Sequence, residues 1–228
     1  MAIDLSRMSA LVGQETMKRL HESHIAVIGV GGVGSWCAEA LVRSGIGKIT
    51  LVDDDVIASS NINRQAPALA DTMGRSKVEV MRERLLEINP DCEIAAEQRR
   101  FTEFDESYRD FSVIVDAIDS VPEKAELILG ATSSGVKIVS SMGAALRLDP
   151  TKVVIGRFDR VQGDGLARAL RQRFKRMSRF PAAKFNCVYS IERPKPEIDC
   201  CGVRASYMPV TCAFGMALAA EVIKETYA

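Results

Sequence analysis

Residues 29–34 read Gly-Val-Gly-Gly-Val-Gly, between an apolar run of strand type at 24–30 and a helical stretch at 35–43. Strand, glycine loop and helix in that order form a phosphate site. The N–H groups of the first helical turn lack carbonyl partners and point at whatever anion sits there. Gly29 allows the tight turn, Gly31 and Gly32 admit a phosphate to the backbone, and Gly34 lets helix and strand pack closely. The next strand, 48–53, ends in Asp53, 19 positions after Gly34. A carboxylate at that place can bond a ribose hydroxyl. Loop, helix and acid together indicate an adenine nucleotide, and leave open whether it is a dinucleotide or ATP.

Three more side chains bear on that choice. A dehydrogenase needs little beyond the loop and the ribose acid. Cleavage of ATP at the α-phosphate needs cations to stabilise charge in the transition state and a metal to hold the departing pyrophosphate. Arg64 lies in a polar segment leaving the second strand, and Lys77 falls in the first turn of a helix predicted over 75–89. A lysine there opposes the helix dipole, a cost that a bound phosphate would offset. Asp119 follows a strand at 111–116. Ser120 and Glu123 stand at capping-box spacing with Pro122 in the first turn of the next helix, which leaves Asp119 free as a magnesium ligand. The alternative, in which Asp119 itself caps the helix, stays open. These residues favour ATP with Mg2+ over NAD.

The elements that must position them alternate strand and helix as far as a strand at 135–140, which predicts a doubly wound, Rossmann-like α/β fold. Its sheet should be mainly parallel with helices on both faces. From 151 the pattern changes to strands at 152–160 and 185–190 flanking a helix at 166–177, then a loop holding Asp199, Cys200, Cys201 and Gly202, and a largely apolar closing helix at 209–224. This reads as a C-terminal extension with antiparallel strands. At 228 residues a single domain is expected. Residues 1–150 form the nucleotide-binding part and 151–228 the substrate-binding and dimerisation part.

Composition narrows the function classes. The formal net charge is zero, with 30 basic and 30 acidic residues, so affinity for a polyanion must come from local clustering. No stretch has signal-peptide character, and the weakly polar run at 210–223 is too short to span a bilayer, so a cytoplasmic protein is expected. None of the six cysteines forms a C-x-x-C pair, and the two histidines, His21 and His24, both precede or open the first strand. A four-ligand zinc site is not expected, and most thiols should be reduced and buried.

Five separated motifs also carry a family resemblance: Gly29 to Gly34, Asp53-x-Asp55, Ser60-Asn61-x-Asn63-Arg64-Gln65, Gly74-x-x-Lys77 and Asp116-x-x-Asp119. In this order they resemble the ubiquitin-activating-enzyme-like adenylyltransferases. The resemblance implies that Asp53 holds the ribose, Gly32 and Asn61 line the nucleotide, Arg64 and Lys77 grip the phosphates, and Asp119 binds magnesium. Arg7, on an N-terminal loop, would reach the ATP of a neighbouring subunit, which implies a homodimer. The apolar closing helix is a candidate for its interface. Sulfur-carrier activators of this family typically hold zinc through two C-x-x-C pairs, which are missing here. Gly45-Ile-Gly47, Ile88-Asn-Pro-Asp-Cys92, Asp116 to Ser120 and Cys187-Val-Tyr-Ser190 are instead similar to the tRNA threonylcarbamoyladenosine dehydratase branch. That similarity implies an enzyme that adenylates the carboxylate of threonylcarbamoyladenosine in tRNA and drives its cyclisation, releasing AMP and pyrophosphate.

Two other functions stay in view. One is activation of a ubiquitin-like sulfur carrier, with a sulfur-transfer protein as partner and Cys200 or Cys201 as an acyl acceptor. The other is a plain NAD-binding oxidoreductase, disfavoured by Arg64 and Lys77. The segment from Arg157 to Lys184 discriminates between the first two, holding nine basic residues against Asp159 and Asp164. Its helix can bury Leu166, Leu170, Phe174 and Met177 and turn Arg168, Arg171, Arg173, Lys175 and Arg176 outward. Such a stripe would grip tRNA, although a charge run can equally be a solvated face.

Overall fold

The computed structural model describes residues 3–196 and 205–227. The loop holding Asp199, Cys200, Cys201 and Gly202 therefore lies outside the described residues. Seven strands form one sheet in the order β3-β2-β1-β4-β5-β7-β6. They are β1 (His24–Ile28), β2 (Lys48–Val52), β3 (Glu93–Glu97), β4 (Val113–Asp116), β5 (Lys137–Ser141), β6 (Val153–Arg157) and β7 (Asn186–Ser190). Every pairing is parallel except that of β6 with β7. The expected doubly wound, mainly parallel sheet is therefore present. Its C-terminal part adds only one antiparallel pair, because β7 enters parallel to β5 and extends the same sheet.

Parallel strands covered on both faces read as continuous apolar runs, and alternate residues of β1 serve two cores. Ile25 and Val27 pack on one face with Cys37 and Leu41 of α3 (Gly34–Arg43), Met81 and Leu85 of α4 (Lys77–Ile88), and Phe214 and Leu218 of α7 (Met208–Tyr227). Ala26 and Ile28 pack on the other with Leu127 and Ile128 of α5 (Val121–Ser134) and Leu170 and Phe174 of α6 (Gly165–Met177). Two shorter helices, α1 (Ser6–Val12) and α2 (Gln14–Glu22), precede β1.

Three local expectations are corrected or narrowed. Arg7 sits exposed on α1, not on a loop. The apolar closing helix buries one stripe within the chain and leaves Met208 and Met216 exposed. Val210, Phe214, Leu218 and Val222 of α7 are buried in the chain's own core, and Gly215 approaches α3 so closely that a Cβ there would lie 2.7 Å from the Val33 carbonyl oxygen. The capping box at α5 is also incomplete. Ser120 occupies the N-cap position, but its hydroxyl bonds the Glu123 carboxylate and not the backbone.

Candidate active site

The sheet order turns back at β1, with β2 and the first crossover on one side and β4 on the other. Ligands of doubly wound sheets sit outside the carboxyl ends of the strands at this point. The glycine loop lies there. Gly29 has φ +94°, and a Cβ on it would stand 2.8 Å from the Ala117 carbonyl oxygen. A Cβ on Gly34 would stand 1.9 Å from the Gly29 carbonyl oxygen, so strand exit and helix start touch through backbone alone.

The first turn of α3 also ties down the segment that carries Arg64. Ser35 Oγ donates to the Gly31 carbonyl at 2.6 Å and accepts from the Ala66 N–H at 3.2 Å. Trp36 Nε1 donates to the Arg64 carbonyl at 2.9 Å. Arg64 is thereby laid across Gly32, where a Cβ would meet its Cγ at 3.0 Å. Its guanidinium bonds the Ser60 carbonyl at 2.9 Å and Asn63 Oδ1 at 2.8 Å. Asn61 lines the same cleft, with Oδ1 accepting from the Ala58 N–H at 3.0 Å.

Asp53 is bound at both carboxylate oxygens. Oδ2 accepts from the Val30 N–H at 2.6 Å and Oδ1 from the Asp55 N–H at 2.9 Å. Burial pushes its pKa above the ordinary range, and the Lys77 ammonium opposes that shift. Lys77 is only 4% exposed. Its Nζ lies 2.6 Å from Asp55 Oδ2 and 3.9 Å from Asp53 Oδ1. The lysine read from sequence as a phosphate ligand is thus held by two carboxylates at the wall of the cleft.

Asp119 is exposed on the opposite wall and makes no hydrogen bond or ion pair with the described residues. Beneath its turn lies a buried pair that sequence reasoning missed. Lys124 Nζ stands 2.8 Å from Asp116 Oδ1, both side chains being fully buried, and also donates to the Ile118 carbonyl at 2.9 Å. Asp116 accepts from Ser140 Oγ at 2.6 Å and from the Ile118 N–H at 3.2 Å. Burial raises the Asp116 pKa, against the pull of Lys124 and these donors.

The glycine loop, Asp53, Arg64, Lys77 and Asp119 share one cleft of about 820 Å³. It continues past Asp119 to Met142, residues 143–147, Leu166 and Ala169. Arg147 and Asp164 hold that second half. The guanidinium lies 3.0 Å from Asp164 Oδ2, both groups being buried, and it also bonds the Gly143 carbonyl at 3.0 Å and the Glu192 carbonyl. Asp164 caps α6 through the Ala167 N–H at 2.9 Å. Gln65 lines the nucleotide half with a buried Oε1 that has no partner among the described residues. Its place in the arginine-containing motif was visible in the sequence, but its burial was not. Arg7 does not line the cleft of its own chain.

The basic helix needs one correction. Arg171 turns inward, with Nη2 donating to the Phe158 and Val161 carbonyls at 2.8 and 2.7 Å and its guanidinium 5.0 Å from the Phe158 ring centroid. Arg173 is half-buried. Arg168, Lys175 and Arg176 are exposed. Among the described cysteines, Cys37, Cys92 and Cys187 are buried. Burial pushes Cys92 up to about 11 and Cys187 up to about 12, so these two stay protonated thiols at neutral pH.

A nucleotide-type glycine loop with two cations on one side and an unpaired acid on the other defines an adenylyltransferase-type α/β domain. The ThiF family model matches residues 4–226, and the chain belongs to that family. A tRNA threonylcarbamoyladenosine dehydratase of Bacillus subtilis is 39% identical over 176 residues, spanning 75% of this chain and 68% of its own length. One from Escherichia coli is 36% identical over 228 residues, spanning 93% and 84%. The solved E. coli tRNA N6-threonylcarbamoyladenosine dehydratase in complex with ATP superposes with a TM-score of 0.89 at 34% identity, covering 98% of this chain and 93% of that one. The family and branch resemblance read from the sequence is borne out.

Proposed function

We propose that this protein is an ATP-dependent tRNA-modifying enzyme that adenylates the carboxylate of threonylcarbamoyladenosine and drives its cyclisation. The carrying observation is the near full-length likeness to an ATP-bound dehydratase, joined to a cleft that holds Arg64, Lys77 and Asp119 around a glycine loop. A carboxylate oxygen of the substrate attacks the α-phosphorus, and the bond to the pyrophosphate oxygen breaks. An atom of the neighbouring carbamoyl group then attacks the activated acyl carbon and expels AMP. The carboxyl oxygen leaves on AMP, so the substrate loses the elements of water overall. The second step is intramolecular and draws its rate from proximity, which removes the need for an enzyme thiol.

Each residue has an assigned task. Asp53 takes the ribose, and Gly29, Gly31, Gly32, Gly34 and Asn61 shape the nucleotide bed. Arg64 and Lys77 stabilise charge as the α-phosphate is attacked. Lys77 is already neutralised by Asp55, so phosphate binding re-partitions an existing ion pair and avoids the cost of burying a bare ammonium. The donor set fits magnesium, which takes one or two carboxylates and otherwise waters and phosphate oxygens. Asp119 has no competing partner among the described residues, and oxygens of Asp53, Asp54 and Asp55 lie within 4.8 Å of one another. Asp119 would hold the ion, and the ion would neutralise charge on the leaving pyrophosphate.

The exposed Arg168, Lys175 and Arg176 supply a tRNA contact on the helix whose first turn enters the cleft. Arg7 points to a homodimer in which one protomer completes its neighbour's nucleotide site. No described helix is long and apolar enough to cross a membrane. The test is ATP–pyrophosphate exchange and AMP release, with and without tRNA carrying the threonylcarbamoyl group. Exchange and AMP release that depend on the modified tRNA support the assignment. Exchange driven by a ubiquitin-like sulfur carrier and indifferent to tRNA would replace it. Asp119→Ala is expected to abolish turnover while leaving the melting temperature within a few degrees of the parent.

A further inference from the structure

The cleft is larger than its nucleotide machinery. The glycine loop, Asp53 and Lys77 lie at the ends of β1 and β2, with Arg64 laid over the loop. The remaining wall comes from the ends of β4 and β5 and from α6. Neighbouring strands are ~4.8 Å apart, so the wall after β5 stands about 10 Å across the sheet from the glycine loop. At about 820 Å³ the cleft is at the upper end of the ~300–1,000 Å³ range of small-molecule sites. A nucleotide seated on the glycine loop leaves the β5 side open.

The chemistry of that open half differs from the nucleotide half. Met142, Leu146, Leu166, Ala169 and Pro194 line it. Among the described residues its charged groups are Arg147 and Asp164, which neutralise each other at 3.0 Å and are buried. With these apolar residues, a few hydroxyls such as Ser141 and a self-cancelled ion pair, this half suits a flat, neutral, polarisable group better than phosphate or a free carboxylate. Leu146 reinforces this reading. It adopts φ +63°, a strained conformation for a branched side chain. Its backbone is held on both sides, by donation to the Ala205 carbonyl at 3.0 Å and by acceptance from the Lys195 N–H at 2.7 Å. The first-turn N–H groups of Gly165 and Leu166 have no carbonyl within their own helix, and both residues line the cleft. They offer donors to ring nitrogens or carbonyls at the edge of a base.

The same helix carries the polyanion contact. Its 13 residues span about 20 Å, with Leu166 and Ala169 in the cleft at one end and Arg168, Lys175 and Arg176 exposed along its length. A nucleic-acid strand lying on those cations would place one unstacked base at the mouth of the apolar half.

We infer that the half-cleft walled by Met142, Leu146, Leu166, Ala169 and Pro194 is the acceptor subsite, which takes the substrate's modified purine base out of the RNA strand and stacks it beside the bound nucleotide. Enzymes that act on a base commonly extract it in this way and hold it between apolar side chains. The inference rests on the proposed function and specifies where its second substrate sits.

Ala169→Phe fills the subsite from an existing wall. For Ala169→Phe, binding of the modified tRNA is expected to weaken ~10- to 100-fold, the size of effect lost with one stacked base. ATP affinity and melting temperature should stay at parent values. Independently, the free threonylcarbamoyladenosine nucleoside, titrated by calorimetry into parent protein saturated with AMP, should still bind, and should fail to bind Ala169→Phe. Competition between nucleoside and AMP, or parent-like tRNA binding and turnover by Ala169→Phe, would overturn the subsite. A parent protein that makes no AMP from modified tRNA would instead overturn the underlying function. If Ala169→Phe fails to fold, the competition experiment on the parent decides alone.

Discussion

Lys124→Met should be among the most damaging single changes in this chain, although Lys124 touches no part of the cleft surface. The substitution keeps the aliphatic stem and removes the ammonium that stands 2.8 Å from Asp116 in a site where both side chains are fully buried. Asp116 would keep Ser140 Oγ at 2.6 Å and the Ile118 N–H at 3.2 Å, two neutral donors for a buried negative charge. Removing one partner of a buried ion pair costs about 3–5 kcal/mol, which in a domain of this size is a fall of about 6–20 °C in melting temperature. The carboxyl can escape part of that cost by taking up a proton. Burial already raises its pKa, with Lys124 the foremost opposing influence, so the variant raises it further.

The sign of the pH dependence follows. A carboxyl whose folded pKa exceeds its unfolded value binds more protons in the folded state. Stability is then lost as pH rises from the unfolded value, ~3.9, to the folded one, by up to about 1.4 kcal/mol per unit. Lys124→Met widens that window upward, so its deficit against the parent should grow between pH 5 and pH 8. The assay is urea unfolding at both pH values, with Asp116→Asn and the double variant completing a cycle. The double variant should be more stable than Lys124→Met alone, because Asn at 116 carries no charge to strand. A deficit below about 1 kcal/mol at pH 8, or additivity across the cycle, would refute the coupling. The pair also supports the turn leading to Asp119, so AMP formation by folded Lys124→Met should fall as well.

Other expectations are as direct. Gly34→Ala should destabilise by about 1–3 kcal/mol and weaken ATP binding, because the added Cβ would lie 1.9 Å from the Gly29 carbonyl oxygen. Helix propensity alone predicts stabilisation of about 1 kcal/mol, and a raised melting temperature would favour that view. Changing Arg168, Lys175 and Arg176 together to Gln should weaken tRNA binding and flatten its salt dependence by about 0.7–0.9 per lost phosphate contact, with ATP affinity unchanged. Arg171→Gln should chiefly lower stability, since its guanidinium is spent on the Phe158 and Val161 carbonyls; a fall in tRNA affinity alone would contradict that. Light scattering at micromolar concentration should give twice the 24.9 kDa chain mass, and a monomer would remove the role proposed for Arg7.

The local parts of this protein could be read from the chain alone. An apolar run, a glycine loop, a helix and a strand-terminal acid are each set by neighbours a few residues apart, so the order of residues already carries the nucleotide half of the cleft. Periodicity likewise placed α4 and α6 to within two residues of their boundaries and α7 to within three, since burying one face requires apolar residues at helical spacing. Partnerships across the chain were not legible. Arg171 and Arg168 look alike in sequence, yet one is consumed by carbonyls at 158 and 161 while the other meets solvent. Arg147 and Asp164 gave no local sign that they would neutralise each other beneath an apolar half-cleft. The closing helix could be read as apolar, but not as packed on α3 within the same chain. In each case the deciding energy is the desolvation of a charge or an apolar face, and that depends on what the fold brings against it.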